Sequence, residues 1–175
     1  MSNIGVVWIR EDFRIENNAA LSYATNNHDF VIALYIYNNN DYDKKREAQK
    51  WWLSKSLKVF KEDLLNYNIN LQILKGDELE IFSKIKKKDN LEIYWNKIYE
   101  PDVIAKGKKI RDIFIKNEIN FKYFKGNILN EFQEVKKNDE TPFKVFTPVW
   151  RNAEQVYLNQ PPSKNYIVKK KTKKI

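Results

Sequence analysis

Charged side chains directly follow the first apolar run of the chain. Arg10, Asp12 and Arg14 come after a run that ends at Ile9, and the loop that carries them contains no glycine. A dinucleotide cradle or a P-loop needs glycines so that the backbone can approach the phosphates. The sequence therefore disfavours classical NAD binding and NTP hydrolysis. Two interpretations of the loop remain: a salt-bridge network that fixes its shape, or a polar wall of a ligand crevice.

A second polar loop follows the apolar run that ends at Trp95. Asn96 offers hydrogen-bond donors and an acceptor at this point, and Glu100 precedes Pro101, which suits the first turn of a helix. A carboxylate is favourable at a helix N-terminus because of the helix dipole. Helix capping and ligand contact are both compatible with these residues.

Aromatic residues form a third candidate group. Trp51 and Trp52 are neighbours in a helical period, so they cannot face the same way. We expect one of them to join the core and the other to border a crevice or solvent. Tyr35 and Tyr37 fall at the end of an apolar run, and together with a tryptophan they would form an aromatic pocket.

Other chemistry has little support in the sequence. His28, the only histidine, sits in a polar turn, where we expect it to be exposed, and no partner arrangement suggests a nucleophilic triad. No HExxH-like spacing occurs, and the absence of cysteine excludes disulfides and a cysteine-based metal site. We therefore expect no nucleophilic triad and no metal-binding residue in this chain.

Five short apolar runs alternate with four helical periods. The runs, which predict strands, cover residues 4–9, 30–37, 71–74, 91–95 and 121–124. The helical periods cover residues 18–25, 46–67, 77–87 and 102–118, and Asp77 is a good cap for the third. This alternation predicts an α/β fold with a doubly wound, Rossmann-like, five-stranded parallel sheet of order 3-2-1-4-5, flanked by helices. Ligands of such folds bind beyond the carboxyl ends of the strands, where the polar loops would meet.

The chain divides into a core and two attached segments. Its 175 residues and 42% hydrophobic content suit one globular domain, and no apolar run reaches the roughly 18–20 residues of a membrane span. We expect an α/β core over residues 1–130, a closing segment with a short helix capped by Thr147 over 131–160, and a Pro- and Lys-rich linker over 161–175. We also expect a cytoplasmic location and no membrane partner.

The basic charge is concentrated at the end of the chain. Six lysines lie within residues 164–175, and without them the net charge falls from +9 to +3. Such a run is compatible with a solvated linker or tail, or with an arm that binds phosphates.

Four motifs follow one another along residues 4–158. These motifs are Trp8-Ile9-Arg10-Glu11-Asp12-Phe13-Arg14 with Asn17-Asn18-Ala19-Ala20-Leu21, then Trp51-Trp52-Leu53 with Ser56-Leu57 and Gly76-Asp77, then Trp95-Asn96-Lys97-Ile98-Tyr99-Glu100-Pro101, and finally Lys144-Val145-Phe146-Thr147-Pro148 with Trp150. In this order they resemble the motifs of DNA photolyases and cryptochromes.

The resemblance implies that the chain is the amino-terminal antenna domain of such a protein, which holds a light-harvesting chromophore. The family's larger, helical carboxyl-terminal domain holds FAD and the DNA-binding pocket, and it would be the partner of this domain. The resemblance implies that the catalytic residues lie in that domain, so none is expected in this chain. The full-length protein would then be a deoxyribodipyrimidine photolyase, a carbon–carbon lyase that uses blue light to split cyclobutane pyrimidine dimers in DNA. We expect a monomer.

The resemblance also suggests where the antenna pocket lies, along the loops after strands 1, 2 and 4 and beside the long helix. The matching positions are Arg10, Asp12, Tyr35, Tyr37, Gln49, Trp52, Asn96 and Glu100. Gln49 stands where many relatives carry Arg, which removes a cation that would pair with an anionic chromophore. Val103 stands about where folate-binding relatives carry a carboxylate, and the form of the third motif is closer to relatives with a deazaflavin or flavin antenna. We therefore expect a deazaflavin or flavin rather than methenyltetrahydrofolate.

Two hypotheses of different classes follow. In the first, the chain is the antenna domain cut from a longer photolyase, with a cryptochrome-type photosensor as a variant. In the second, it is a free-standing nucleotide- or flavin-binding module whose basic tail serves as a docking arm.

Overall fold

Five parallel strands form one sheet in a computed structural model that describes residues 3–38, 45–85, 91–131, 134–137, 139–159 and 164–170. The strands are β1 (Ile4–Ile9), β2 (Phe30–Tyr37), β3 (Asn70–Lys75), β4 (Leu91–Asn96) and β5 (Asn120–Phe124). The helices are α1 (Ala19–Asn27), α2 (Glu47–Leu65), α3 (Glu78–Ser83), α4 (Pro101–Lys116) and α5 (Phe146–Asn159). The order β3-β2-β1-β4-β5 confirms the predicted doubly wound topology.

Side chains of the central strand alternate between two cores, one on each face of the sheet. Val7 and Ile9 of β1 point into a core that includes Phe60 and Leu64 of α2, whereas Trp8 points into the other core. The second core is closed by α3 and α4 through Phe82, Ile110 and Phe114. Because both faces of the inner strands β1, β2 and β4 are covered, these strands are nearly continuous apolar runs, which is why the sequence pattern identified them.

Side chains cap two helix starts, one of them as predicted, and a third start differs from the prediction. The side chain of Asn18 accepts the N–H of Leu21 at 3.1 Å, and that of Asp77 accepts the N–H of Leu79 at 2.8 Å, as predicted for Asp77. Helix α5 begins at Phe146, so Thr147 lies inside its first turn and does not cap it. Helix α3 ends at Ser83, earlier than predicted, and residues 86 and 87 of the predicted helix lie outside the described residues.

The prediction that His28 is exposed is wrong. Its side chain is buried beside Gly5, where a Cβ atom would lie only 2.8 Å from the ring. Nε2 lies 2.6 Å from the hydroxyl of Tyr94, which in turn donates to the carboxylate of Glu92. Nδ1 is buried and has no hydrogen-bond partner within the described part of the chain. The local sequence is polar, but the space above glycine in the central strand admits the imidazole.

The segment 164–170 forms an extended strap along α1. The hydroxyl of Ser22 donates to the carbonyl of Tyr166 at 2.7 Å, and the N–H of Val168 donates to the hydroxyl of Thr25 at 3.1 Å. Ile167 packs against the first core. At its far end the N–H of Lys170 donates to the carbonyl of Tyr67 at 2.9 Å. This part of the Lys-rich segment is therefore docked on the domain rather than a solvated tail, whereas residues 161–163 and 171–175 lie outside the described residues.

Within the described residues, no helix combines the length and the apolar content needed to cross a membrane.

We expect Gly5→Ala to reduce the free energy of unfolding by about 1–3 kcal/mol, because the new methyl group overpacks against His28 and Ala24. Urea denaturation measures the change. Gly107→Ala is the matched control: its Cβ meets no atom within 4 Å, and alanine is better in a helix by about 1 kcal/mol. Equal effects of the two variants would contradict the close packing at Gly5.

We expect His28 to titrate below its ordinary pKa of about 6.5, because burial disfavours the imidazolium more than the Glu92 carboxylate favours it. Above about pH 7 the group is neutral in both states and adds no pH dependence. As the pH falls through about 6.5 the unfolded chain binds the proton first, so the free energy of unfolding decreases until the folded-state pKa is passed. NMR of this sole histidine gives the midpoint, and a value at or above 6.5 would contradict a buried, neutral ring.

Candidate ligand-binding site at the carboxyl edge of the sheet

A cavity of about 360 Å³ opens at the carboxyl ends of β1 and β2. The first turns of α2 and α4 form its sides, and Glu78, at the start of α3, also lines it. This is the edge at which doubly wound sheets bind ligands, because the loops of neighbouring strands diverge there. We refer to this space as the main cavity.

Aromatic side chains form much of the wall of the main cavity. Trp8, Tyr35, Tyr37 and Trp52 all line it. The centre of the Tyr35 ring lies 5.7 Å from that of Phe13, which also lines the cavity. This contact restricts the orientation of Tyr35. These rings offer flat apolar surfaces together with hydroxyl and indole N–H groups, which is the composition typical of small-molecule pockets.

The two adjacent tryptophans of α2 differ from the prediction, because neither joins the core. Trp51 is 56% exposed and Trp52 is 64% exposed, and their rings form an edge-to-face pair with centroids 5.2 Å apart. The fully packed residues of α2 are Phe60 and Leu64 in its later turns. The first turns lie beside the cavity instead of over the core, which leaves Trp52 at the cavity and Trp51 in solvent.

Arg10 places a positive charge in the floor of the main cavity. Its guanidinium lies 4.6 Å from the centre of the Trp8 ring and donates to the backbone carbonyl of Asn96. Burial lowers the pKa of Arg10 to about 10, while the carboxylates of Asp12, Glu11 and Glu78 oppose that shift. The group is therefore a cation at neutral pH, held in one orientation.

A carboxylate and an ammonium group that sequence reasoning missed also line the main cavity. The carboxylate of Glu78 lies 2.7 Å from Nζ of Lys106 and accepts the side-chain amide of Asn38 at 2.9 Å. Lys106 and Glu78 are far apart in the sequence and meet only because α3 and α4 pack side by side. The sequence offered one indication that Glu78 lies near the cavity: it directly follows the capping residue Asp77, just after the end of β3.

Asp12 and Asn96 belong to a buried hydrogen-bond network. Nδ2 of Asn96 donates to Oδ2 of Asp12 at 2.6 Å and to Oδ1 of Asn18 at 2.8 Å. Oδ1 of Asn96 accepts the N–H of Ala20 at 3.0 Å, and Oδ1 of Asp12 accepts the N–H of Arg10 at 3.1 Å. The network ties the end of β4 to the loop after β1 and to the start of α1.

The structure divides the eight predicted pocket residues between two spaces. Five of them line the main cavity: Arg10, Tyr35, Tyr37, Gln49 and Trp52. The other three line a separate cleft near Gly126: Asp12, Asn96 and Glu100. Gln49 also accepts the N–H of Arg46 at 2.9 Å, which caps α2. Glu100 precedes α4, but its carboxylate makes no capping hydrogen bond, and only its backbone carbonyl accepts the N–H of Ile104.

A second cavity, of about 240 Å³, lies between α4 and the ends of β4 and β5. Arg111 and Tyr123 line it together with Lys97, Tyr99 and Glu131. Glu131 pairs with Lys97 at 2.7 Å and accepts the hydroxyl of Tyr99 at 3.1 Å. Burial raises the pKa of Tyr99, and the carboxylate of Glu131 adds to this, against the opposing bond from the N–H of Gly126.

Within the described ranges, no three His, Cys, Asp or Glu side chains come together as a metal site. The arrangement at this edge instead suits a flat organic ligand, since it combines aromatic walls with the fixed cation of Arg10 and the carboxylate of Glu78.

Comparison with known proteins identifies the family. The family model described as DNA photolyase matches residues 5–166. The chain is 28% identical over 150 residues to the deoxyribodipyrimidine photo-lyase of Agrobacterium fabrum, covering 85% of this chain and 31% of that protein. It is 26% identical over 153 residues to Cryptochrome-1 of Arabidopsis thaliana, covering 85% of this chain and 22% of that protein.

Solved structures of the same family share the fold. A bacterial class III photolyase from Agrobacterium tumefaciens matches with a TM-score of 0.84 and 26% identity, over 100% of this chain and 36% of that chain. An archaeal photolyase from Sulfolobus tokodaii, solved with two FAD molecules and discussed as having a novel light-harvesting cofactor, matches with a TM-score of 0.72 and 23% identity, over 95% and 37%. This chain thus spans about a third or less of the length of these proteins.

We expect Asn96→Leu to lower the free energy of unfolding by at least about 2 kcal/mol, because it removes the bonds from Asn96 to Asp12 and Asn18 and leaves the buried N–H of Ala20 without its acceptor. Chemical denaturation measures the loss. Glu100→Gln, at an exposed residue with no capping bond, is the control and should change stability by no more than about 0.5 kcal/mol. If Asn96→Leu is as stable as this control, the network is not structural.

Proposed function

The chain belongs to the DNA photolyase family, and from that membership we propose that its main cavity binds a deazaflavin or flavin antenna chromophore. The observation that carries the proposal is an aromatic-walled cavity at the carboxyl edge of the sheet, with a fixed cation in its floor. The chain corresponds to the amino-terminal α/β domain of photolyases. When bound, such a chromophore absorbs blue or near-ultraviolet light and passes the excitation to a second chromophore.

The residues present fit a flat heteroaromatic ring. Trp8 and Tyr35 offer apolar faces, and the exposed Trp52 offers another at the first turns of α2. Arg10 supplies a donor and positive charge to ring oxygens, while Glu78 supplies an acceptor for a ring N–H. The aromatic walls also limit the access of water to the bound ring.

The apolar side chain of Val103 supports a deazaflavin or flavin over a folate. Val103 lines the main cavity at the position where the family resemblance puts a carboxylate in folate-binding relatives. Gln49 lines the same cavity and is occupied in capping α2. The photolyase of Sulfolobus tokodaii holds two FAD molecules, with a novel light-harvesting cofactor implied. It therefore supports the choice of a flavin as the antenna chromophore.

We propose the activity of the whole protein by analogy, since the chain spans only part of its relatives. A carboxyl-terminal domain with FAD would bind DNA and split cyclobutane pyrimidine dimers, using excitation delivered from this domain. The match to Cryptochrome-1 favours a blue-light photosensor as the second candidate. In either case we propose a cytoplasmic monomer.

Titration of the purified chain with riboflavin, FMN, 8-hydroxy-5-deazariboflavin and methenyltetrahydrofolate tests the proposed ligand. We expect flavin or deazaflavin fluorescence to be quenched on binding, and Trp52→Ala to weaken binding about fivefold through the loss of one aromatic contact. The thermal midpoint should change little, because Trp52 is exposed.

Trp51→Ala is the matched control, since Trp51 is similarly exposed but does not line the main cavity. If Trp51→Ala weakens ligand binding as much as Trp52→Ala does, the main cavity is not the binding site. Tighter binding of the folate than of any flavin or deazaflavin would contradict the assigned chromophore class.

A further inference from the structure

The main cavity and the second cavity adjoin each other beneath α4. Both are lined by Arg10, Ile98, Val103 and Gly107. Arg10 lies in the floor between them, and the first two turns of α4 lie above. A ligand in the main cavity therefore has a neighbouring space into which an extension of its ring could pass.

Gly107 keeps the boundary between the two cavities open. A Cβ atom at this position would meet no atom within 4 Å, so no neighbouring group of the described protein requires a glycine there. Glycine in the middle of a helix also lowers the equilibrium constant for helix formation about fivefold relative to alanine. A ligand that passes beneath α4 would use the space that a bulky side chain at this position would fill.

The second cavity carries net positive charge. Lys97 and Glu131 neutralise each other as an ion pair at 2.7 Å. Arg111 has its guanidinium 5.3 Å from the centre of the Tyr123 ring, and no carboxylate of the described residues pairs with it. Arg111 thus remains a cation with unused donors in the cavity, and a guanidinium is well suited to bind phosphate oxygens in pairs.

We propose that the second cavity binds the terminal phosphate of a tail carried by the chromophore, with the ring in the main cavity and the tail crossing between Arg10 and Gly107. This inference rests on the proposed function and narrows its ligand to a phosphorylated flavin or deazaflavin. Arg111 is the phosphate-binding residue, and Gly107 is a positioning residue that keeps the passage open.

Comparison of FMN with riboflavin tests the inference, since the two ligands share a ring and differ in the phosphate. We expect the wild-type chain to bind FMN about tenfold more tightly than riboflavin, as for one charge-assisted contact. Arg111→Gln should reduce FMN affinity to that of riboflavin and leave riboflavin affinity unchanged. Thermal midpoints identify any variant that is merely unstable.

Two variants of Gly107 test the passage. Gly107→Leu should bring the FMN-to-riboflavin affinity ratio towards one by filling the boundary, whereas Gly107→Ala should retain most of the preference. Both should be at least as stable as the wild-type chain, because alanine and leucine are better helix formers than glycine.

The outcomes separate this inference from the proposed function. Equal binding of FMN and riboflavin, or an unchanged ratio in Arg111→Gln, would overturn the phosphate site while a Trp52-dependent ring site remains. If neither flavin nor 8-hydroxy-5-deazariboflavin binds the wild-type chain, both the proposed function and the phosphate site are overturned.

Discussion

The carboxyl edge of the sheet depends on the buried side-chain amide of Asn96. It bonds to the loop after β1 through Asp12 and to the start of α1 through Asn18 and Ala20. The backbone carbonyl of the same residue receives the guanidinium of Arg10. A buried polar network with its members satisfied has one favourable geometry, because any rearrangement leaves a polar group unpaired. The orientation of the cation in the main cavity follows from an amide that does not itself line that cavity.

The strands, their order and the edge that carries the cavities could be predicted from the sequence, because those features follow from local patterns. Buried parallel strands require short apolar runs, and right-handed crossovers leave few possible orders. The roles of Asp12 and Asn96 could not be assigned in the same way. Carboxylate and amide groups at a crevice edge are equally suited to bind a ligand or one another, and only the distances between β1, β4 and α1 distinguish the two.

Other differences between prediction and structure have the same origin in non-local contacts. His28 is buried because Gly5, on β1, leaves room for its ring, although its own neighbours in the sequence are polar. Trp51 and Trp52 follow the helical period, but the period does not reveal that α2 extends past the core at its start. Glu78 and Lys106 meet through the packing of two helices, which no spacing in the sequence indicates. In each case the local sequence pattern predicts the correct element. It carries no information about the residue from another element that packs against it.

The strap along α1 separates the exit of the chain from the main cavity. It begins near Asn17, at the edge where the cavities open, and reaches the opposite edge, where Lys170 contacts the carbonyl of Tyr67 and the backbone of His28. Lys170 therefore lies at the edge of the sheet opposite the cavity mouth. No residue of the strap lines the main cavity, so the strap docks on α1 without occupying the surface through which a ligand would enter.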